Sequence, residues 1–284
     1  MKKLLLVLCC LFFGNVALAS EELSEIDDVQ ERFVYDRLFP IWGQEAYDRG
    51  HELPKPYGLT VNYMTMDQPL EVTGVNVTGL NFCGPFNCPD LDLSDSISKA
   101  RQDSETLTLR GDMWVLPFLN VYAVLGHTRG SSVAPITVNN THVADFNLKF
   151  KGMTYGAGTT IAGGIGNWFA LVDANYTYTD LDILDGKILT FVAAPRVGYR
   201  FKVNNHDVQL WGGMMYQDVQ QSFSGNIRDV GINLDGSFEV EQRLTNKWNT
   251  ITGGQVGVTD NIDLLIEAGF GDRRSLMLGL GYRF

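Results

Sequence analysis

The stretch Ser275–Phe284, S-L-M-L-G-L-G-Y-R-F, has an apolar residue at every second position, alternating with a methionine, two glycines and an arginine. The apolar set is Leu276, Leu278, Leu280, Tyr282 and Phe284. Side chains of a β-strand alternate between two faces, so this period of two predicts a strand with one apolar face. We expect the strand to close a barrel in lipid by pairing with the first strand, because closure leaves no unpaired edge.

The same stretch carries a motif. Gly279, Tyr282 and Phe284 form the pattern G-x-x-Y-x-F, which resembles the C-terminal β-signal of Gram-negative outer-membrane β-barrel proteins. The family pattern usually places a polar residue two positions before the glycine, where this chain has Met277. The resemblance covers only the final strand and identifies no subfamily. It implies an all-β fold, a transmembrane antiparallel up-and-down β-barrel, that is handled by periplasmic chaperones and the barrel assembly machinery.

The beginning of the sequence predicts export. Lys2 and Lys3 precede an apolar run over residues 4–13, and Ala17-Leu18-Ala19 follows. This order of charged, apolar and small residues is typical of a signal peptide, here cleaved after Ala19. The run is too short to span a bilayer, and no other long apolar run exists, so a helical membrane protein is excluded. We therefore expect the mature protein in the outer membrane.

The balance of charges restricts the partners. The formal net charge is −11, and removal of Lys2 and Lys3 takes it to −13. A strongly acidic chain is a poor match for nucleic acid. The expected surroundings are outer-membrane lipid and lipopolysaccharide, and we expect a monomer.

The cysteines predict a disulfide rather than a metal site. Two of the four leave with the signal peptide, and Cys83 and Cys88 remain in C-G-P-F-N-C. A close pair in an exported chain is typical of a disulfide that staples a small loop. The four histidines are scattered, so we expect no metal and no cofactor.

Residues 20–56 differ from the rest of the chain. Apolar residues from Leu23 to Val34 recur at helical spacing in an acidic context, and Pro40 ends that pattern. This predicts a short amphipathic helix that lies on the periplasmic side or in the barrel mouth. A frayed tail is the alternative.

From residue 57 to residue 284 the period changes to two, which predicts about ten strands. The candidates cover residues 57–66, 104–116, 119–128, 152–165, 168–180, 187–202, 207–219, 248–259, 262–270 and 275–284. Tight turns are predicted at Pro117, Gly166, Asn204 and Asp260, and long connections over 67–103, 129–151 and 220–247. Tight turns on one rim and long loops on the other are typical of outer-membrane barrels. Segments 70–80 and 232–240 could add a hairpin, which would give twelve strands.

The register predicts what fills the barrel. When the more apolar register faces lipid, charges of both signs face inward. These residues are Arg110, Asp112, Asp173, Arg196, Arg200, Asp263, Glu267 and Arg283. Buried charges must pair, so four cations and four anions predict an ion-paired, narrow lumen, whereas an open pore would favour one sign.

These features favour a non-enzymatic barrel, either a narrow channel for small solutes or a structural or surface-interaction protein. No nucleotide-binding loop, zinc signature or nucleophile elbow is present. The alternative is an outer-membrane hydrolase, a protease or a lipid-modifying enzyme, with an active site at the rim. Its candidate residues are His127 and His142, with Asp145 and Ser131 or Ser132 nearby in sequence.

Overall fold

The computed structural model describes residues 34–79, 91–92, 99–138, 141–182, 185–230 and 235–284, and 35–284 form one compact unit. Its elements are helix α1 (Gly43–Asp48), strands β1 (Tyr57–Thr78), β2 (Leu91–Asp92), β3 (Lys99–Leu116), β4 (Leu119–Val138), β5 (Thr141–Ile165), β6 (Trp168–Leu181), β7 (Asp185–Val203), β8 (His206–Asn226), β9 (Ser237–Leu244), β10 (Trp248–Gly257), β11 (Ile262–Phe270), β12 (Arg274–Arg283) and the 3-10 turn Ile227–Val230. In this part of the chain no helix is long and apolar enough to cross a membrane.

The strands close into an antiparallel barrel, as predicted. Ten of them form a ring in the order β1, β3, β4, β5, β6, β7, β8, β10, β11 and β12. The last strand pairs with the first from Gly58 opposite Arg283 to Asp67 opposite Arg274. The chain end completes this closure, because the Tyr57 and Phe284 backbones exchange hydrogen bonds of 3.2 and 3.0 Å. The fold class and the closing role of the final strand are confirmed.

The four predicted tight turns are also confirmed, and they lie at one end of the barrel, here called the turn end. They follow β3, β5, β7 and β10. Gly166 (φ 57°), Asn204 (φ 47°) and Asn205 (φ 67°) adopt left-handed backbone conformations there. Glycine and asparagine tolerate this conformation at the lowest steric cost, which is why they mark two-residue hairpin turns. The opposite end is the loop end.

The long loops predicted at the loop end are wrong over most of their length. Within residues 129–151, β4 continues to Val138, β5 begins at Thr141, and the two strands pair with each other as a hairpin. Strand β8 continues to Asn226, and β1 continues to Thr78. Alternation persists in residues 67–72 and 147–150, but with polar residues outside and Leu70, Val72, Leu148 and Phe150 inside. That inverted pattern does not mark a strand in lipid.

The two segments that could have formed an extra hairpin pair with each other instead. Residues 70–78 belong to β1, and β9 lies beside them from Leu70 opposite Leu244 to Thr78 opposite Ser237. The other edge of β9 pairs with β8. One strand, β9, therefore takes the place of β10, β11 and β12, and the wall narrows from ten strands to eight toward the loop end.

The polarity of the wall reverses at the same level. In β1, Leu59, Val61 and Tyr63 are exposed on the outside, whereas the next outward charges are Asp67 and Glu71. The outward residues from position 57 to 65 span about 27 Å along the strand, or roughly 20 Å when tilted by about 40°, close to the apolar band of membrane barrels. The ten-stranded half thus carries an apolar belt, and the half toward the loop end has a charged outer face.

Aromatic pairs line both borders of this belt. At the turn end Tyr57 stacks on Phe284 at 5.8 Å. At the other border Tyr155 contacts Tyr178 at 5.2 Å between ring centroids. Trp248, which pairs with Tyr216 at 5.2 Å, lies at that border too. Amphipathic rings suit a boundary between lipid and water, so these pairs mark the upper and lower borders of the apolar belt.

The described N-terminal segment is attached to the turn end. The Ile41 amide donates to the Val115 carbonyl (2.8 Å), and the Trp114 amide donates to the Pro56 carbonyl (2.8 Å). Helix α1 begins at Gly43, after Pro40. The signal peptide, the Cys83–Cys88 disulfide and all but the last residue of the helix predicted from Leu23 to Val34 lie outside the described residues.

Candidate functional site

The candidate site is the lumen, and its first cluster lies at the turn end. Asp112 is buried and accepts hydrogen bonds from Arg283 Nη2 (2.6 Å) and Asn120 Nδ2 (2.7 Å). Arg110 Nη2 donates to Asn120 Oδ1 at 3.1 Å. Gly58 on β1 lies between Asp112 on β3 and Arg283 on β12, and because it has no side chain the two can meet across it. A Cβ at Gly58 would lie 2.5 Å from Asp112 Oδ1.

A second cluster surrounds Asp173 on β6. Its carboxylate accepts hydrogen bonds from the Tyr122 hydroxyl (2.8 Å) and Thr160 Oγ1 (2.6 Å). Arg110 Nη1 lies 3.7 Å from Asp173 Oδ2, and the Arg110 guanidinium lies 3.6 Å from the centroid of the Tyr122 ring. Arg110 therefore links the first two clusters by charge and by stacking on an aromatic face.

The third cluster is a bidentate pair deeper in the lumen. Arg196 on β7 donates to Glu267 on β11 through Nε (2.7 Å) and Nη2 (2.9 Å). Trp211 Nε1 donates to the same carboxylate at 2.7 Å. Both charged side chains are largely buried, at 13% and 4% exposure. This fork geometry gives strong, oriented hydrogen bonds.

Six of the eight inward charges are thus brought into contact, and two are not. Among the described residues Arg200 and Asp263 form no salt bridge. Arg200 is exposed at the turn end, where its guanidinium lies 5.9 Å from the Phe169 ring centroid. Asp263 lies opposite Gly281, and its polar neighbours are Arg283 and Gln255.

A ladder of hydroxyl groups crosses the wall between the charged clusters and the loop end. Thr106, Thr128, Thr154 and Thr179 lie on four successive wall strands, β3 to β6, and their Oγ1 atoms are 3.1, 2.7 and 2.8 Å apart in turn. The alternation of side chains along each strand predicts that all four threonines face inward. Their contacts with one another depend on the register between strands.

Beyond the ladder, buried amide side chains form what we call the amide belt. Its members are Gln68, Gln102, Gln217, Gln221, Gln242 and Asn249. Gln68 is the register partner of Gln102, and Gln221 that of Gln242. Ser132 Oγ approaches Gln242 Oε1 at 3.3 Å from 110 positions away in sequence. Several of these residues fell in predicted loops, so the pattern analysis missed the belt.

Arg273 lies at the same depth and was also missed. It occupies the link between β11 and β12, is 2% exposed and faces inward, whereas Arg274 beside it is exposed. Burial lowers the pKa of Arg273 to about 10, so the guanidinium stays charged at neutral pH.

The loop end of the lumen is filled by apolar side chains, here called the apolar cap. Its buried members include Leu70, Val72, Val75, Ala100, Ala134, Leu148, Phe150, Ile188, Val219, Phe223, Phe238, Val240 and Leu244. Leu70 and Phe223 have no exposed surface, and the Phe150 and Phe223 rings are 5.8 Å apart. The inverted alternation of the strand extensions is the sequence signal for this cap.

Among the described candidate hydrolase residues, His127, Ser131 and Ser132 are not brought together. His127 is exposed on the outer face of β4, and Ser132 is buried on the inner face. Ser131 shares the outer face with His127 but lies four residues, about 13 Å, farther along the strand. The side chain of His142 lies outside the described set. Within the described residues, no group of three or more His, Cys, Asp or Glu side chains could hold a metal ion.

No protein-family model matches the chain, and no curated protein matches it. Solved structures are similar at low identity. The β domain of the Bordetella autotransporter BrkA is 11% identical with a TM-score of 0.43, and the match covers 81% of this chain and 100% of that one. The transport unit of the Escherichia coli autotransporter AIDA-I is 11% identical with a TM-score of 0.42 (82% of this chain, 92% of that one), and the Pseudomonas aeruginosa outer membrane protein OprG is 13% identical with a TM-score of 0.38 (82% of this chain, 97% of that one). All three are Gram-negative outer-membrane β-barrels. At these values the likeness concerns the fold alone.

Proposed function

We propose that this chain is a closed, non-enzymatic outer-membrane β-barrel of the structural or surface-interaction kind. The apolar cap is the observation that carries this proposal. Its side chains meet across the eight-stranded half of the barrel, and Leu70, Leu148, Val219 and Phe223 are at most 1% exposed. Water and ions avoid a tightly packed apolar constriction, which supports a lumen that does not conduct.

The outer face supports a membrane location and a hydrated extension. The height of the apolar belt is close to that of the lipid-facing band of membrane barrels. The outer face above the belt carries ion pairs between Arg129 and Glu105 (2.6 Å) and between Arg243 and Glu71 (3.3 Å). Such exposed pairs belong in water. We infer that the eight-stranded half projects beyond the outer leaflet, where its outer face is available to bind surface partners.

Single-channel recording in a planar bilayer tests the closed lumen. We expect refolded wild-type protein to show no discrete conductance steps. The variant Phe150→Ala/Phe223→Ala removes two touching rings from the cap and should admit small ions. The control Lys149→Ala/Ser222→Ala changes the preceding residues, whose side chains face outward, and should remain silent. Regular large steps from the wild type would refute the closed lumen.

Export is tested by the mass of the mature chain. We propose that the signal peptide is removed after Ala19, because its small-x-small end precedes an acidic segment. Intact-mass measurement of protein from the outer-membrane fraction should give a chain that begins at Ser20. A chain that retains Met1 would contradict this proposal.

A channel for small solutes is the second candidate. Inward residues of the ten-stranded half, including Thr60, Asn62 and Met64, are half-buried rather than buried, so this half of the lumen contains accessible space. Ion pairs through the lumen and the cap above them favour the closed barrel. The conductance experiment separates the two candidates directly.

A further inference from the structure

Arg273 is a buried cation for which the described part of the chain supplies no partner. Arg274, the next residue, faces outward opposite Asp67, and the alternation of the strand turns Arg273 inward. Arg273 is only 2% exposed. Its Nε, Nη1 and Nη2 atoms have no hydrogen-bond partner among the residues that the structure describes.

This isolation is costly for a guanidinium. A buried cation without a counter-charge loses its hydration and gains nothing in return. The other buried arginine of the lumen, Arg196, has the Glu267 carboxylate at 2.7 Å. Among the described residues no carboxylate forms a salt bridge with Arg273. The site therefore has the charge and the free donors to hold an anion.

The neighbouring amides have unused hydrogen-bonding groups as well. The Asn249 side chain lies against the same hairpin, since a Cβ at Gly271 would be 2.8 Å from Asn249 Oδ1. Both polar atoms of Asn249 lack a partner in the described residues, as do Gln68 Oε1 and Gln102 Oε1. Gln68 follows Asp67 and is thus at the depth of Arg273. Amides offer both donors and acceptors, so they suit an oxyanion that also carries a polar group.

The position defines how a ligand would enter. Above this level Leu70 and Leu244 are register partners in the apolar cap and block the loop end. Below it the inward Asn62, Met64 and Met277 are half-buried, and the lumen widens to ten strands. Arg273 and the amides therefore lie at the closed end of the accessible space in the ten-stranded half, here called the well. A ligand would have to enter it from the turn end, past the charged clusters.

We propose that the closed end of this well is a binding site for a small oxyanion, a carboxylate or a phosphate, held by the Arg273 guanidinium and flanking amides. The arginine fork offers paired N–H groups to two oxygens of one anion, and Asn249 and Gln68 orient the remainder of the ligand. This site goes beyond the proposed function, because a barrel can be closed to conductance and still hold an anion.

Titration calorimetry on refolded full-length protein tests the site with two separate probes, sodium acetate and inorganic phosphate. The variant is Arg273→Gln, and the matched control is Arg274→Gln, one residue away on the outer face. We expect one bound anion per chain in wild type and control. The probe that binds more tightly identifies the preferred anion as a carboxylate or a phosphate. Arg273→Gln should weaken binding by about tenfold or more, the usual loss for charge-assisted hydrogen bonds.

Two results would overturn the proposal: no binding of either probe to the wild type, or equal binding by wild type and Arg273→Gln. A bromide soak of wild-type crystals is a second measurement that needs no variant. It should show an anomalous peak beside the Arg273 guanidinium, and bromide found only at exposed side chains such as Arg274 would also overturn it. Loss of binding here leaves the conductance prediction unaffected, so the two proposals fail separately.

Discussion

Replacing Glu267 with glutamine changes a single atom, but it should destabilise the folded barrel substantially. The Glu267 carboxylate is 4% exposed and accepts three hydrogen bonds, two from Arg196 and one from Trp211, at 2.7–2.9 Å. Glutamine keeps the shape and one carbonyl oxygen. It removes the negative charge and places an amide N–H₂ against groups that are themselves donors.

The expected cost follows from what remains. The Arg196 side chain is 13% exposed and would keep its charge with no carboxylate beside it. Removing one partner of a buried ion pair typically costs about 3–5 kcal/mol. Because the glutamine oxygen still accepts one hydrogen bond, we expect Glu267→Gln to lower the free energy of unfolding by about 3 kcal/mol, near the low end of that range.

Urea unfolding in lipid vesicles, followed by tryptophan fluorescence, measures this change. Arg196→Gln and the double variant complete a mutant cycle, and the double variant should recover at least about 1 kcal/mol relative to the sum of the single changes. The control is Glu239→Gln, which makes the same change at an exposed glutamate on β9. A loss below about 1 kcal/mol for Glu267→Gln, or additive single effects, would refute the reasoning.

Two other changes test the packing of the lumen and the closure of the barrel. Gly158→Ala should destabilise the barrel by about 1–3 kcal/mol, because its Cβ would overlap the Tyr122 ring and displace the hydroxyl from Asp173. Phe284→Ala should reduce the fraction of folded barrel in the outer membrane, measured by the gel mobility of unheated samples, because it removes the stack on Tyr57 at the closing seam.

Each of these changes has a matched control in the same chain. Gly163→Ala lies on the same strand, and its Cβ would meet no atom within 4 Å, so its stability should equal that of the wild type or exceed it. Phe270→Ala removes a ring of similar exposure, 53% against 51% for Phe284, away from the seam. Equal effects for a variant and its control would contradict the corresponding prediction.

The apolar belt was predictable because its signals are local. Alternation in segments such as Ile262–Phe270 and turn residues such as Asn204 act within a few positions, and strand β11 is found with the predicted bounds. Parity along each strand also selected the inward charges. It did not indicate which of them meet, because Arg196 and Glu267 are 71 positions apart and are brought together only by the closed ring.

The strand extensions were misread as loops for a physical reason. A strand in lipid has its apolar side chains outside, whereas residues 147–150 and 237–244 have theirs inside and a polar face outside. Both patterns have the same period, so only knowledge of the surroundings distinguishes them. Arg273 fell in the link between the predicted strands 262–270 and 275–284, and its burial depends on the closed ring of strands.

The sequence by itself determined that the chain forms an antiparallel barrel with tight turns at one end and a closing C-terminal strand. Periodicity and turn chemistry act over a few neighbouring residues, so both can be recognised from the sequence alone. The tertiary structure alone decided that β9 joins β1 to β8, that the wall narrows and is capped, and that Arg273 faces the closed end of the well. These features depend on register between strands far apart in sequence, which no local pattern encodes.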